Sequence, residues 1–241
     1  MFAKKIFKLA VVMLSFYTLS SFATAATIFV DFGDSAQITA GNYNNLTFNS
    51  PSVLSIPNAV DSTGAGTGIS IAASGFYPGS NQNGATAPTG AAAVFDPQAT
   101  RDNAFGHTGA FGGNPDASLA TVSLAGLNPA VTYDFVFFGS RTGVTDNRET
   151  AFAVSGATTS TTYLNTAANT SNVAVVTGIA PTASGTIAIN VSAGPNNNNA
   201  SKFYYLGAMK IDTVVPEPGL IGLVGIGLAA ACLRRSDKGR S

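Results

Sequence analysis

Thr186-Ile187-Ala188-Ile189-Asn190-Val191 alternates apolar and polar residues without a break, and Thr121-Val122-Ser123-Leu124 does the same before Gly126. A period of two sends alternate side chains to opposite faces, the pattern of a strand buried on one side. Similar short runs occur along the chain. Thr27 to Phe32 stops at Gly33, Leu46-Thr47-Phe48 follows an Asn-rich turn, and Ile69-Ser70-Ile71 alternates cleanly. Tyr133 to Phe138 stops at Gly139, Ala151 to Val154 at Ser155-Gly156, and Val173 to Val176 at Gly178. Phe203 to Ile211 reads as the closing strand. Nine or more short strands punctuated by turn residues predict an all-β fold, a single antiparallel β-sandwich. No internal segment holds a helical period for three turns, so the domain is expected to fold without helix. Its expected core is Phe29, Phe48, Ile71, Leu127, Phe135, Phe137, Phe152, Val175, Ile189 and Leu206.

Two stretches break the rhythm. Residues 75–117 are rich in Gly, Pro, Asn and Ala and read as long loops, with one short strand near Ala93-Val94-Phe95. Long loops inside a compact domain often carry binding function. Asn196 to Asn199 reads as a mobile hairpin tip.

Both ends differ from this middle. Lys4, Lys5 and Lys8 precede an apolar run from Leu9 to Leu19, and small residues follow at Ser20, Ser21, Ala23 and Ala25. This is the layout of a secretory signal peptide, residues 1–25, cut by signal peptidase after Ala25, with Ala26 as the neighbouring site. A retained anchor is the alternative, but the run is short for a bilayer. At the other end, Val215-Pro216-Glu217-Pro218-Gly219 leads into an apolar stretch, 220–233, expected to be helical, then Arg234-Arg235. At about 1.5 Å per residue such a helix spans only part of a 30 Å hydrocarbon core, which suits a transient inner-membrane anchor. The arginines should stay cytoplasmic and leave the bulk of the chain outside. The prolines keep the approach extended for a protease.

Pro216-Glu217-Pro218, the Gly/Leu-rich stretch and the Arg pair resemble the PEP-CTERM sorting signal. The resemblance implies cleavage by an exosortase-type membrane protease in a Gram-negative, exopolysaccharide-producing bacterium, with delivery to the cell surface or extracellular matrix. It assigns sorting and processing to Pro216, Glu217, Pro218, Arg234 and Arg235. Residues 236–241 lie beyond the usual end of that signal. Residues 213–241 thus form the sorting tail, and residues 26–212 the ectodomain. Within the ectodomain, Gly126-Leu127-Asn128-Pro129 followed by Tyr133 resembles the strand entry of fibronectin-III-like and carbohydrate-binding-module-like sandwiches. The run from Ile28 to Gly33 and the closing Tyr205 to Met209 resemble jelly-roll ectodomains of other PEP-CTERM proteins.

Charged residues make up 10% of the chain, against about 25% in a typical soluble protein. Between residues 26 and 215, five cations (Arg101, Arg141, Arg148, Lys202, Lys210) stand against ten carboxylates. An acidic surface without a basic stripe argues against nucleic acid as a partner. The one cysteine, Cys232, lies in the tail and reads as a small apolar residue, so no disulfide is expected within the domain.

Gly33-Asp34-Ser35 invites a GDSL-type hydrolase reading. That chemistry needs a late Asp-x-x-His pair to activate the serine. The one histidine, His107, stands mid-chain in Phe105-Gly106-His107-Thr108-Gly109, where a solvated loop side chain is expected. Zinc would require more His or Cys ligands. No catalytic residue and no metal ligand is therefore assigned, and a paired-carboxylate glycosidase stays open as an alternative. Structural calcium is compatible with the loop carboxylates Asp31, Asp34, Asp96, Asp102, Asp116 and Asp146, although no run has EF-hand spacing.

Sugar sites on sandwiches present flat aromatic rings. Tyr43, Phe76, Tyr77 and Phe111 stand in loop-like contexts and are candidates, or else caps over the core. Arg141 and Arg148 lie in Gly139–Glu149, read either as a polar rim for a sugar or anionic polymer or as a loop fixed by Arg–carboxylate pairs. The expected function is a non-enzymatic structural or adhesive protein of an exopolysaccharide-rich biofilm. A carbohydrate-binding module is the alternative, with a possible partner in extracellular polysaccharide, and a hydrolase comes third.

Overall fold

The computed structural model describes residues 26–109 and 111–215. The expected signal peptide at 1–25, with Ala25, and Pro216, Glu217, Pro218, Arg234, Arg235 and the apolar segment 220–233 lie outside the described residues. What is described is nearly all β. One five-stranded sheet runs β11 (Ala174–Ile179), β8 (Thr132–Phe138), β14 (Ala208–Val214), β1 (Thr27–Gly33), β2 (Tyr43–Thr47). A six-stranded sheet runs β10 (Thr159–Asn165), β9 (Glu149–Ser155), β12 (Thr186–Ala193), β7 (Leu119–Ala125), β4 (Ser70–Ser74), β3 (Ser55–Ile56). A small third sheet joins β13 (Tyr204–Leu206), β6 (Asn103–Gly106) and β5 (Ser80–Asn81).

The period-two runs take the strand positions that their patterns demand. Ile187, Ile189 and Val191 of β12 are buried and register with Leu124, Val122 and Ala120 of β7. From the five-stranded sheet, Ile28, Val30, Phe32, Phe135, Phe137 and Ile211 enter the same core as Phe152, Val154 and Ile71 of the six-stranded sheet. Phe137 of β8 stacks on Phe152 of β9 with centroids 4.6 Å apart and planes 2° from parallel.

The structure corrects several expectations. The strands are not all antiparallel, because β1 and β2 run parallel from Phe29↔Tyr43 to Gly33↔Thr47. Val175 is exposed and Val176 is the residue that faces inward. The closing run is two strands rather than one. Gly207 parts β13 from β14, and a Cβ there would come within 2.8 Å of the Asp102 carbonyl and the Asn103 side chain.

Residues 75–117 are not free loops, and the domain is not helix-free. A 3-10 turn at Gly90–Val94 stands where a strand was expected, followed by the single turn of α1 (Pro97–Thr100). Asp96 caps α1 by accepting from the Gln98 amide at 2.8 Å, and Pro97 supplies a first-turn residue without a donor. Ala85, Ala92, Phe95 and Ala99 form a second apolar cluster with Phe138 and Ala208, against which Phe29, Tyr43 and Val136 pack. The segment therefore covers the outer face of the five-stranded sheet. Its small residues let the backbone lie close to the sheet, and small residues give no periodic apolar signal.

The Gly-Leu-x-Pro…Tyr entry is built as a tyrosine corner. Leu127 is buried, and the Tyr133 hydroxyl accepts from the Asn128 amide at 2.9 Å. Tyr133→Phe removes this one bond, and the exposed amide turns to water. We expect a cost of about 1 kcal/mol, measured as a melting temperature lower by roughly 2–4 °C with the β circular-dichroism spectrum unchanged.

Candidate functional site

The small third sheet carries the site. In β6 and β13 alternate residues face opposite ways. Ala104, Tyr204 and Leu206 enter the core, while Phe105 and Tyr205, which are in register, face the opposite way and are buried there beneath other side chains. Their rings stack at 6.2 Å and 29°. Gly106 makes this possible: a Cβ on it would lie 2.1 Å from the Tyr204 hydroxyl, which reaches across to the Ala117 carbonyl.

Tyr77 stacks on Phe105 at 4.6 Å, and Phe111 meets Phe203 edge-on at 5.0 Å. Phe105, Phe111, Phe203 and Tyr205, together with Asn81, Arg141 and Arg148, line a cavity of about 220 Å³. Phe111 stands at its rim, 42% exposed.

The two arginines play different parts. Arg148 pairs with Asp146 (Nε to Oδ1 3.0 Å), donates from Nη1 to the Tyr205 hydroxyl at 2.6 Å, and lies over the Phe203 and Tyr205 rings at 5.5 and 5.9 Å. Burial alone would raise the Asp146 carboxyl, but hydrogen bonds from Asn199 and Arg148 hold it below the usual carboxylate range. Burial pushes the Tyr205 phenol up, so it stays protonated. Arg141 has no carboxylate partner among the described residues. Its guanidinium donates to the Thr142 carbonyl from Nη1, which leaves most of its fork for the cavity.

The backbone around Arg141 is fixed on several sides. Ser140 and Asn103 bond reciprocally, amide to Oδ1 at 3.0 Å and Nδ2 to carbonyl at 2.8 Å. The Ser140 hydroxyl donates to the Asn169 carbonyl at 2.6 Å, and the Thr142 amide to the Asn83 carbonyl at 2.7 Å.

Four of the six candidate residues, Tyr77, Phe111, Arg141 and Arg148, thus come together. Tyr43 does not. It lies in β2, with its ring 5.3 Å from Phe29 and its hydroxyl accepting from the Asp96 amide. Phe76 packs on Phe48 and the core. Sequence reasoning missed Phe105, Phe203 and Tyr205. The available signal was Phe203-Tyr204-Tyr205, since three successive aromatics in a strand cannot all enter one core.

Two further expectations are corrected here. His107 is buried, among Tyr77, Phe111 and Phe203, with Nδ1 2.8 Å from the Gly109 carbonyl. Asn196–Asn199 is a fastened loop rather than a loose tip. Glu149 accepts from the Asn196 amide at 2.9 Å, and Asn197 is buried with Nδ2 donating to the Glu149 and Phe203 carbonyls.

Residues 214–236 match the PEP-CTERM protein-sorting motif. The chain is therefore that of an exported protein handled by an exosortase, with a C-terminal membrane anchor that is then cleaved. No curated protein matches the chain.

Proposed function

We propose that this is a cell-surface or extracellular-matrix adhesin of the biofilm, a jelly-roll-like β-sandwich that holds extracellular polysaccharide without catalysis. Signal peptidase would free its N-terminus near Ala26. The observation that carries the reading is the convergence of Phe105, Phe111, Phe203, Tyr205 and two arginines around one cavity, with Tyr77 stacked on Phe105. Aromatic faces suit the apolar faces of sugar rings, and an arginine fork suits hydroxyls or carboxylates at their edges. A cavity lined by rings with a few placed polar groups is the usual form of a small-molecule or glycan-unit site.

A non-catalytic role is supported by how the reactive groups are engaged. His107 is sealed beneath rings, and the Ser35 hydroxyl donates to the Ser50 carbonyl at 3.4 Å. Asp34, the acid of the Gly33-Asp34-Ser35 run, is enclosed by donors. Burial raises its carboxyl, but bonds from the Ala36 amide, Gln82, Ser80 and Asn49 outweigh this and hold it down at about 2.

The test is binding of the protein to exopolysaccharide from a PEP-CTERM-bearing bacterium by co-sedimentation. Phe111→Ala and Arg141→Ala should each weaken binding about tenfold, equal to 1.4 kcal/mol, while leaving the melting temperature in place. Retention of full binding in the double variant would refute the site, and polysaccharide cleavage by pure protein would refute the non-catalytic reading.

A further inference from the structure

β1 sends Ile28, Val30 and Phe32 into the core, so Asp31 and Gly33 face the other way, beneath the covering segment. Asp31 is 2% exposed and Asp102, arriving from the end of that segment, is 0% exposed. The Asp102 carboxylate lies against Gly33, where a Cβ would sit 2.3 Å from its Oδ2. Asp102 thus reaches the face of β1 that also carries Asp31.

Each carboxylate is held by one oxygen only. Asp31 Oδ2 accepts from the Thr39 amide at 3.1 Å and the Thr39 hydroxyl at 2.7 Å. Asp102 Oδ2 accepts from the Asp34 amide at 2.6 Å. The remaining oxygens, Asp31 Oδ1 and Asp102 Oδ1, are buried and have no hydrogen-bond partner. Arg101, whose charge is felt at both carboxylates, forms no ion pair with either among the described residues, and its Nε is itself buried without a partner. A buried carboxylate oxygen without a partner is costly unless a cation or donor meets it.

We propose that Asp31 Oδ1 and Asp102 Oδ1 bind one calcium ion, which pins the 83–102 cover to β1. No cluster of three His, Cys, Asp or Glu side chains is present among the described residues, so the two carboxylates share the ion with uncharged oxygens and water. Oxygen-only surroundings select a hard cation, and calcium accepts irregular coordination by six to eight oxygens. Thr39 and the Asp34 amide act as the outer partners that aim the ligating oxygens.

The test uses the full chain in mild detergent, stripped of metal and dialysed against radioactive calcium. One calcium per chain is expected, with a melting temperature higher by roughly 5–10 °C when calcium is a hundredfold above its dissociation constant. Asp102→Asn should remove the thermal shift, and Thr39→Val, which keeps the shape, should weaken binding roughly tenfold. Asp61→Asn, in an exposed turn, should leave both readouts unchanged. No calcium uptake by the unmodified chain overturns the proposal. So does an unchanged affinity in both Asp102→Asn and Thr39→Val; if Asp102→Asn does not fold, Thr39→Val alone decides.

Discussion

Replacing Phe137 by alanine is expected to lower the melting temperature by about 10 °C. Phe137 is fully buried, stacked on Phe152 at 4.6 Å and parallel to Phe135 at 6.1 Å. It belongs to the five-stranded sheet and Phe152 to the six-stranded one, so the pair joins the two sheets through their shared core. Truncating such a ring loses its transfer free energy and leaves a cavity, together about 3–5 kcal/mol. With no cysteine between residues 26 and 215, no cross-link limits the loss. For a domain of this size each kcal/mol moves the midpoint by about 2–4 °C. Val175→Ala, on the neighbouring β11 but 48% exposed, should change stability by less than about 0.5 kcal/mol. Thermal melts of the two variants side by side check the contrast. Equal effects would mean that the sheets are not joined through Phe137.

Val175 also shows where the sequence misleads. Val173 to Val176 is a continuous apolar run, so its pattern does not say which side faces in. The register then shifts between Val176 and Ile179, at Gly178 with φ of 72°. Where alternation was clean, as in Thr186–Val191, the buried face was legible residue by residue. The covering segment was not legible. Ala85, Ala92 and Ala99 fit against the sheet because they are small, and small residues among Gly and Pro look like a loop. The candidate site was half legible. Aromatic rings in loop-like contexts and two arginines in one polar stretch point to Tyr77, Phe111, Arg141 and Arg148, but their meeting depends on pairings such as Ser140 with Asn103, 37 residues apart. His107 was misread because its glycine neighbours suggest a solvated loop, whereas β6 and the Phe111 turn enclose it.

The other large effect concerns delivery. Changing Pro216, Glu217 and Pro218 together to alanine should abolish processing and leave the protein in the inner-membrane fraction. Pro216-Glu217-Pro218 begins two residues beyond Val214, where β14 ends. That strand is tied down to its last turn: the Thr213 amide donates to the Ala26 carbonyl at 2.9 Å, and Val215 packs on the core. A protease acting at the motif therefore meets chain that emerges directly from a folded sheet, with little slack. Proline at 216 and 218 biases residues 215 and 217 to extended geometry, the form in which an active-site cleft can read a backbone. Alanine, the strongest helix former, would instead favour continuation of the apolar tail toward the sheet. The tail keeps its apolar run and arginine pair in this variant, so insertion and orientation persist while recognition is lost. Immunoblots of fractionated cells should show an uncleaved, larger species confined to the membrane. Normal release of the triple variant would show that the Pro-Glu-Pro residues are dispensable for processing.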